Sequence, residues 1–76
     1  MFMKKEKTIP VYRKLWLKIR YWQGINLVSN EELAKIIGVT TRTISNYDKD
    51  ASSISLQMVE NFLVATRMDL ITLYNL

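Results

Sequence analysis

Between Thr41 and Lys49 a helical wheel collects Thr41, Arg42, Ser45, Asn46 and Lys49 on one side and Ile44 and Tyr47 on the other. The chemistry open to such a face is directional hydrogen bonding. The Arg42 guanidinium is a fork of donors that matches O6 and N7 of guanine. The Asn46 amide offers one donor and one acceptor to N6 and N7 of adenine, and a good contact of either kind discriminates by about 1–3 kcal/mol. Ser45 and Lys49 suit phosphate. The competing reading of the same residues is a solvated polar surface, and what holds that helix in place decides between the two.

The positioning signals lie just upstream. Ala34 is followed by Gly38 four residues later and by Ile44 ten residues later, a spacing that describes two short helices meeting at a sharp corner. A small side chain at Ala34 lets the helices cross closely, Gly38 supplies a φ > 0 step, and Ile44 fills the corner from the far side. Leu33, Ile37, Val39 and Tyr47 complete the inward-facing set. Ser29 with Glu32 three residues on reads as a capping box, with Val28 and Leu33 as its hydrophobic staple, and Thr40 reads as the cap of the next helix.

The remaining elements follow from periodicity. Pro10 is suited to open a first helix over about Val11 to Gln23, with Tyr12, Leu15, Trp16, Ile19 and Trp22 inward and Gly24 as its stop. Ser55 caps a fourth helix carrying Leu56, Val59, Phe62 and Leu63, and Asp69 caps a fifth with Leu70, Leu73 and Tyr74. Two further apolar sets remain: Leu17 and Tyr21 fall with Lys14 on the outer face of the first helix, and Met58, Phe62 and Ala65 form a second stripe on the fourth, offset from Leu56, Val59 and Leu63. They point to self-association or a partner. The expectation is an all-α chain, with a basic arm over residues 1–10 and one five-helix domain over 11–76.

Composition narrows the function classes. The 76 residues hold no cysteine and no histidine, which excludes disulfides, thiolate or imidazole metal sites and histidine-dependent catalysis, and makes a reducing cytoplasm the expected compartment. No Gly-rich phosphate loop or nucleophile–base pair occurs, so an enzyme is not expected, and no cofactor, metal or small-molecule ligand is implied. No apolar run approaches a membrane span. The net charge of +4 is uneven. Seven of the first twenty residues are Lys or Arg against Glu6 alone, whereas the rest of the chain is mildly acidic. A field of that sign suits a polyanion.

From Val28 to Leu73 the chain resembles the helix-turn-helix domain of the Cro and C1 phage-repressor family, also called the Xre family. The residues that carry the resemblance are Glu32-Leu33-Ala34, Gly38-Val39-Thr40, Thr43-Ile44-Ser45, Tyr47-Asp48, Ser55-Leu56 and Asp69-Leu70 with Leu73. The resemblance implies a five-helix, lambda-repressor-like domain that binds double-stranded DNA as a homodimer and regulates transcription, with repression the expected sign. It places Thr41 beside Arg42 and Asn46 among base-contacting residues. Independently of it, the N-terminal amides of the second helix near Ser29 and Asn30 suit phosphate, and Thr43 joins Ser45 and Lys49 in the phosphate-contacting set. The resemblance also implies an ion pair between Arg20 and Asp48. The chain departs from the family in a longer connection over Gly24 to Asn30, in Asn30 where glutamine is common, and in Asp50 and Arg67 where glycines are usual.

Two other readings use the same residues. A protein-interaction module, such as an antirepressor or an assembly subunit, would keep the fold without reading DNA. A basic, aromatic helix over Lys4 to Trp22 could instead lie on an anionic membrane, which would leave the polar face of the third helix without a use.

Overall fold

Every helix after the first opens on a residue whose side chain bonds a backbone N–H left free at the helix start. In the computed structural model, which describes residues 8–76, Ser29 Oγ accepts from the Glu32 N–H at 3.1 Å. Glu32 Oε1 accepts from the Ser29 N–H at 2.9 Å and closes the capping box. Thr40, Ser55 and Asp69 accept from the N–H groups of Thr43, Met58 and Thr72. The elements are α1 (Val11–Ile25), α2 (Asn30–Ile37), α3 (Thr41–Lys49), a 3-10 turn (Ala51–Ser53), α4 (Leu56–Thr66) and α5 (Leu70–Tyr74). The described residues are therefore all-helical. Residues 1–7 of the expected basic arm lie outside them. No described helix is long and apolar enough to cross a membrane.

The core gathers one face of each helix. Trp16 and Ile19 of α1, Leu33 and Ile37 of α2, Ile44 of α3, Phe62 of α4 and Leu73 of α5 are fully enclosed. Trp16 meets Tyr47 edge to face at 5.0 Å, and Trp22 meets Phe62 at 5.1 Å, geometries that the ring quadrupoles favour. Ala34 is buried, and its carbonyl accepts from both Gly38 and Val39 N–H, which ends α2 on a left-handed Gly38 at φ 79°.

Four sequence expectations are corrected. Gly24 does not stop α1: it stays helical, and the chain turns at Leu27, which holds φ 55°. Tyr12 is exposed, and the polar Gln23 is buried near the other end of the helix. The two stripes of α4 are misassigned. Met58, Val59 and Phe62 face the core while Leu56 is 85% exposed, because α2 and Trp22 pack on the Met58–Phe62 side. On α5 Leu70 is exposed and only Leu73 is enclosed.

Asp50 and Arg67, the two departures from glycine, differ physically. Asp50 is extended at φ −155° and needs no glycine, whereas Arg67 closes α4 at φ 58° in the left-handed region. Arg67→Gly should therefore raise stability by about 1 kcal/mol, since the strain of a Cβ there outweighs the added chain entropy. Gly38→Ala should lower stability by about 1–2 kcal/mol. Its Cβ would lie 3.3 Å from Asn61 Nδ2, the group that donates to the Ile37 carbonyl. Thermal melts of both variants check the opposite signs.

Two caps carry a pH signature. The Ser52 N–H and hydroxyl hold the Asp50 carboxyl below its ordinary value of 3.8, and the hydroxyl and N–H of Thr72 do the same for Asp69. A folded value below the unfolded one contributes stability above about pH 3.8 that is lost as pH falls through the lowered folded value. Asp50→Asn with Asp69→Asn should flatten that acid limb in circular dichroism melts.

Candidate functional site

The outer face of α3 is presented by a helix whose other side is locked. Ile44 and Tyr47 are buried against α1 and α2, which turns Thr41, Arg42, Ser45, Asn46 and Lys49 to solvent. Among the described residues none of these five side chains makes a hydrogen bond or ion pair within the chain. Their donors and acceptors are uncommitted, all on one nine-residue helix.

The locking device is a network centred on Asp48. Its Oδ1 accepts from Trp16 Nε1 at 2.8 Å and Arg20 Nε at 3.1 Å, its Oδ2 from Arg20 Nη2 at 2.8 Å, and its carbonyl from Arg13 Nη1 at 3.1 Å. Arg20 and Asp48 thus form a two-point ion pair that ties α1 to the end of α3. Arg20 Nη1 continues to Gln23 Oε1 and to Asn30 Oδ1, and Gln23 Nε2 donates to the same Asn30 oxygen at 2.8 Å and to the Val28 carbonyl at 3.1 Å. One chain of bonds therefore fixes the start of α2 relative to the end of α3. Gln23 is the member that sequence reasoning missed. A polar residue on an apolar wheel face, one turn from an arginine, was the available signal.

The network also changes the phosphate-contacting set. Asn30 Oδ1 is occupied by Arg20 and Gln23, so only its amide nitrogen remains free among the described residues. The Ser29 hydroxyl and N–H are both used in the capping box. The Thr43 hydroxyl lies 3.0 Å from that of Thr40, in the cap of α3. Glu31 and Glu32 occupy the first turn of α2, where they complement the helix dipole and place negative charge where a phosphate would sit. Of the five phosphate candidates, Ser45 and Lys49 are the two with unengaged side chains.

The basic residues of α1 divide between two sides. Arg13 and Arg20 face α3, whereas Lys14 sits over the Tyr74 ring at 4.5 Å and Lys18 donates to the Leu76 main-chain oxygen. Two apolar grooves of about 280 and 240 Å³ meet at Val11 and Leu15, on the α4 and α5 side of α1. Their linings are mainly apolar, with Asn75 at one and Ser55 at the other. No family model, curated protein or solved structure matches the chain.

Proposed function

We propose that the chain is a sequence-specific, double-stranded DNA-binding regulator of transcription that places α3 in the major groove. The observation that carries this reading is the α3 face itself: Arg42 and Asn46, the two residue types best matched to purine edges, stand exposed and, among the described residues, unpaired beside Thr41 and Lys49 on a helix braced from behind. In this arrangement α2 and α3 act as a helix-turn-helix of lambda-repressor type, the turn being Gly38 to Thr40, and the sequence resemblance to Cro and C1 proteins supports the same role. Arg42 and Asn46 read bases, Thr41 meets a thymine methyl, and Ser45 and Lys49 hold the backbone. A homodimer would set two such helices about one turn of duplex apart.

The test is selection from a random duplex pool followed by titration over salt. The expected result is a palindromic consensus, with log K falling linearly against log salt by about 0.9 per phosphate neutralised. Salt-insensitive binding, or a pool without enrichment, would overturn the reading. One observation favours a second reading. Glu31 and Glu32 flank the approach to α2, and an interaction module would find a use for that charge. It predicts no duplex binding at any salt.

A further inference from the structure

Apart from the proposed DNA-reading face, α1 presents a surface that no other described residue covers. Leu17, Tyr21 and Ile25 recur every four residues on the side of α1 opposite Ile19, and they are 44%, 54% and 58% exposed. Single exposed apolar residues need no explanation, but a continuous row does. We propose that this row docks an acidic amphipathic helix belonging to a partner protein.

Two local features are costly for the isolated fold and useful to such a partner. Gly24 stays helical beside the row, and a Cβ built on it would meet nothing within 4 Å. Neither backbone conformation nor internal crowding calls for glycine there, and alanine is the better helix former. The open space over Gly24 lets a second backbone approach closely, since the distance between packed helices follows the side chains at the contact. Two residues past the row, Leu27 holds φ 55° and is 91% exposed. A leucine is strained in that conformation, which glycine or asparagine adopts more readily, and it buries nothing in return.

Charge selects the occupant. Helix α1 carries Arg13, Lys14, Lys18 and Arg20 and no acidic residue. Of these only Arg20 meets a side-chain carboxylate among the described residues; Arg13, Lys14 and Lys18 rest on a main-chain oxygen, the Tyr74 ring and a main-chain oxygen. A second copy of α1 would bring the same four cations against these. A lipid surface would favour a large side chain at Gly24, not a gap. An acidic, amphipathic helix answers both the apolar row and its basic edges.

The experiment uses the isotope-labelled chain and a designed probe: a peptide as long as α1, 15 residues, with leucines on one helical face and glutamates along both edges. Amide resonances of Leu17, Tyr21, Gly24, Ile25 and Leu27 should shift, and the same peptide with lysines for glutamates should bind at least about tenfold more weakly. Leu27→Gly and Gly24→Ala should both raise the melting temperature while weakening the peptide. Leu17→Ser with Tyr21→Ser should abolish binding without loss of fold. The proposal is overturned if the acidic peptide does not bind, if its shifts map elsewhere, or if both peptides bind alike. It is also overturned if phosphatidylserine vesicles take up the chain while the peptide is silent, or if the row instead mediates self-association that the serine variants remove.

Discussion

Asp48→Ala should lower the stability of this domain by about 2–3 kcal/mol, which for a chain of this length is a drop of roughly 10–20 °C in melting temperature. The ion pair alone would not account for that. Its side chains are 30% and 41% exposed, and pairs in such a setting contribute at most about 1 kcal/mol. The larger part comes from Trp16, which is fully enclosed and whose indole N–H has Asp48 Oδ1 as its acceptor. Leaving a buried donor without a partner costs about 1–3 kcal/mol.

The distinction is measurable. Asp48→Asn retains an oxygen acceptor for Trp16 but loses the charge and sets an amide NH2 against Arg20 Nη2 where Oδ2 accepted, so its cost should be nearer about 1 kcal/mol. Paired with Arg20→Ala, Asp48→Asn should give a coupling of about 0.5–1 kcal/mol in a double-mutant cycle. An alanine variant no less stable than the asparagine one would show that the Trp16 bond contributes nothing. A cycle without coupling would separate α1 from the end of α3.

Arg42→Ala and Asn46→Ala should each relax the preference at one base position, at a cost of about 1–3 kcal/mol on the best site, a loss of roughly five- to a hundred-and-fiftyfold in affinity. Lys49→Ala should behave differently. As a phosphate contact it should weaken all duplexes alike and reduce the salt slope by about one unit. All three side chains lie on the exposed face and make no bond within the described chain, so melting temperatures should hold and serve as the control. Folded Arg42→Ala and Asn46→Ala proteins with unchanged sequence preference would remove α3 from base reading and favour the interaction-module reading.

What could be read from the sequence and what could not divides along the range of the forces involved. The helix starts were legible because a cap is a local event: Ser29, Thr40, Ser55 and Asp69 each bond a backbone N–H three residues on, so residue type and spacing carry the whole signal. The corner between α2 and α3 was legible for a similar reason, since Ala34 and Gly38 act within a few residues of themselves. The polar face of α3 followed from periodicity once Ile44 and Tyr47 were assigned inward.

Tertiary structure alone decided the rest. Whether α4 buries Leu56 or Met58 depends on where α2 and Trp22 press on it, and both stripes are apolar, so periodicity could not choose between them. Leu27 takes the left-handed turn although Gly24 is close by, because bonds from Leu27 and Val28 back to Gly24 and Gln23 set the exit of α1. The commitment of Asn30 to Arg20 and Gln23, which withdraws its oxygen from any ligand, arises between groups seven to ten residues apart on two helices. Local chemistry determined where helices begin and which way α3 faces; only packing could determine which of its polar neighbours remain free to bind.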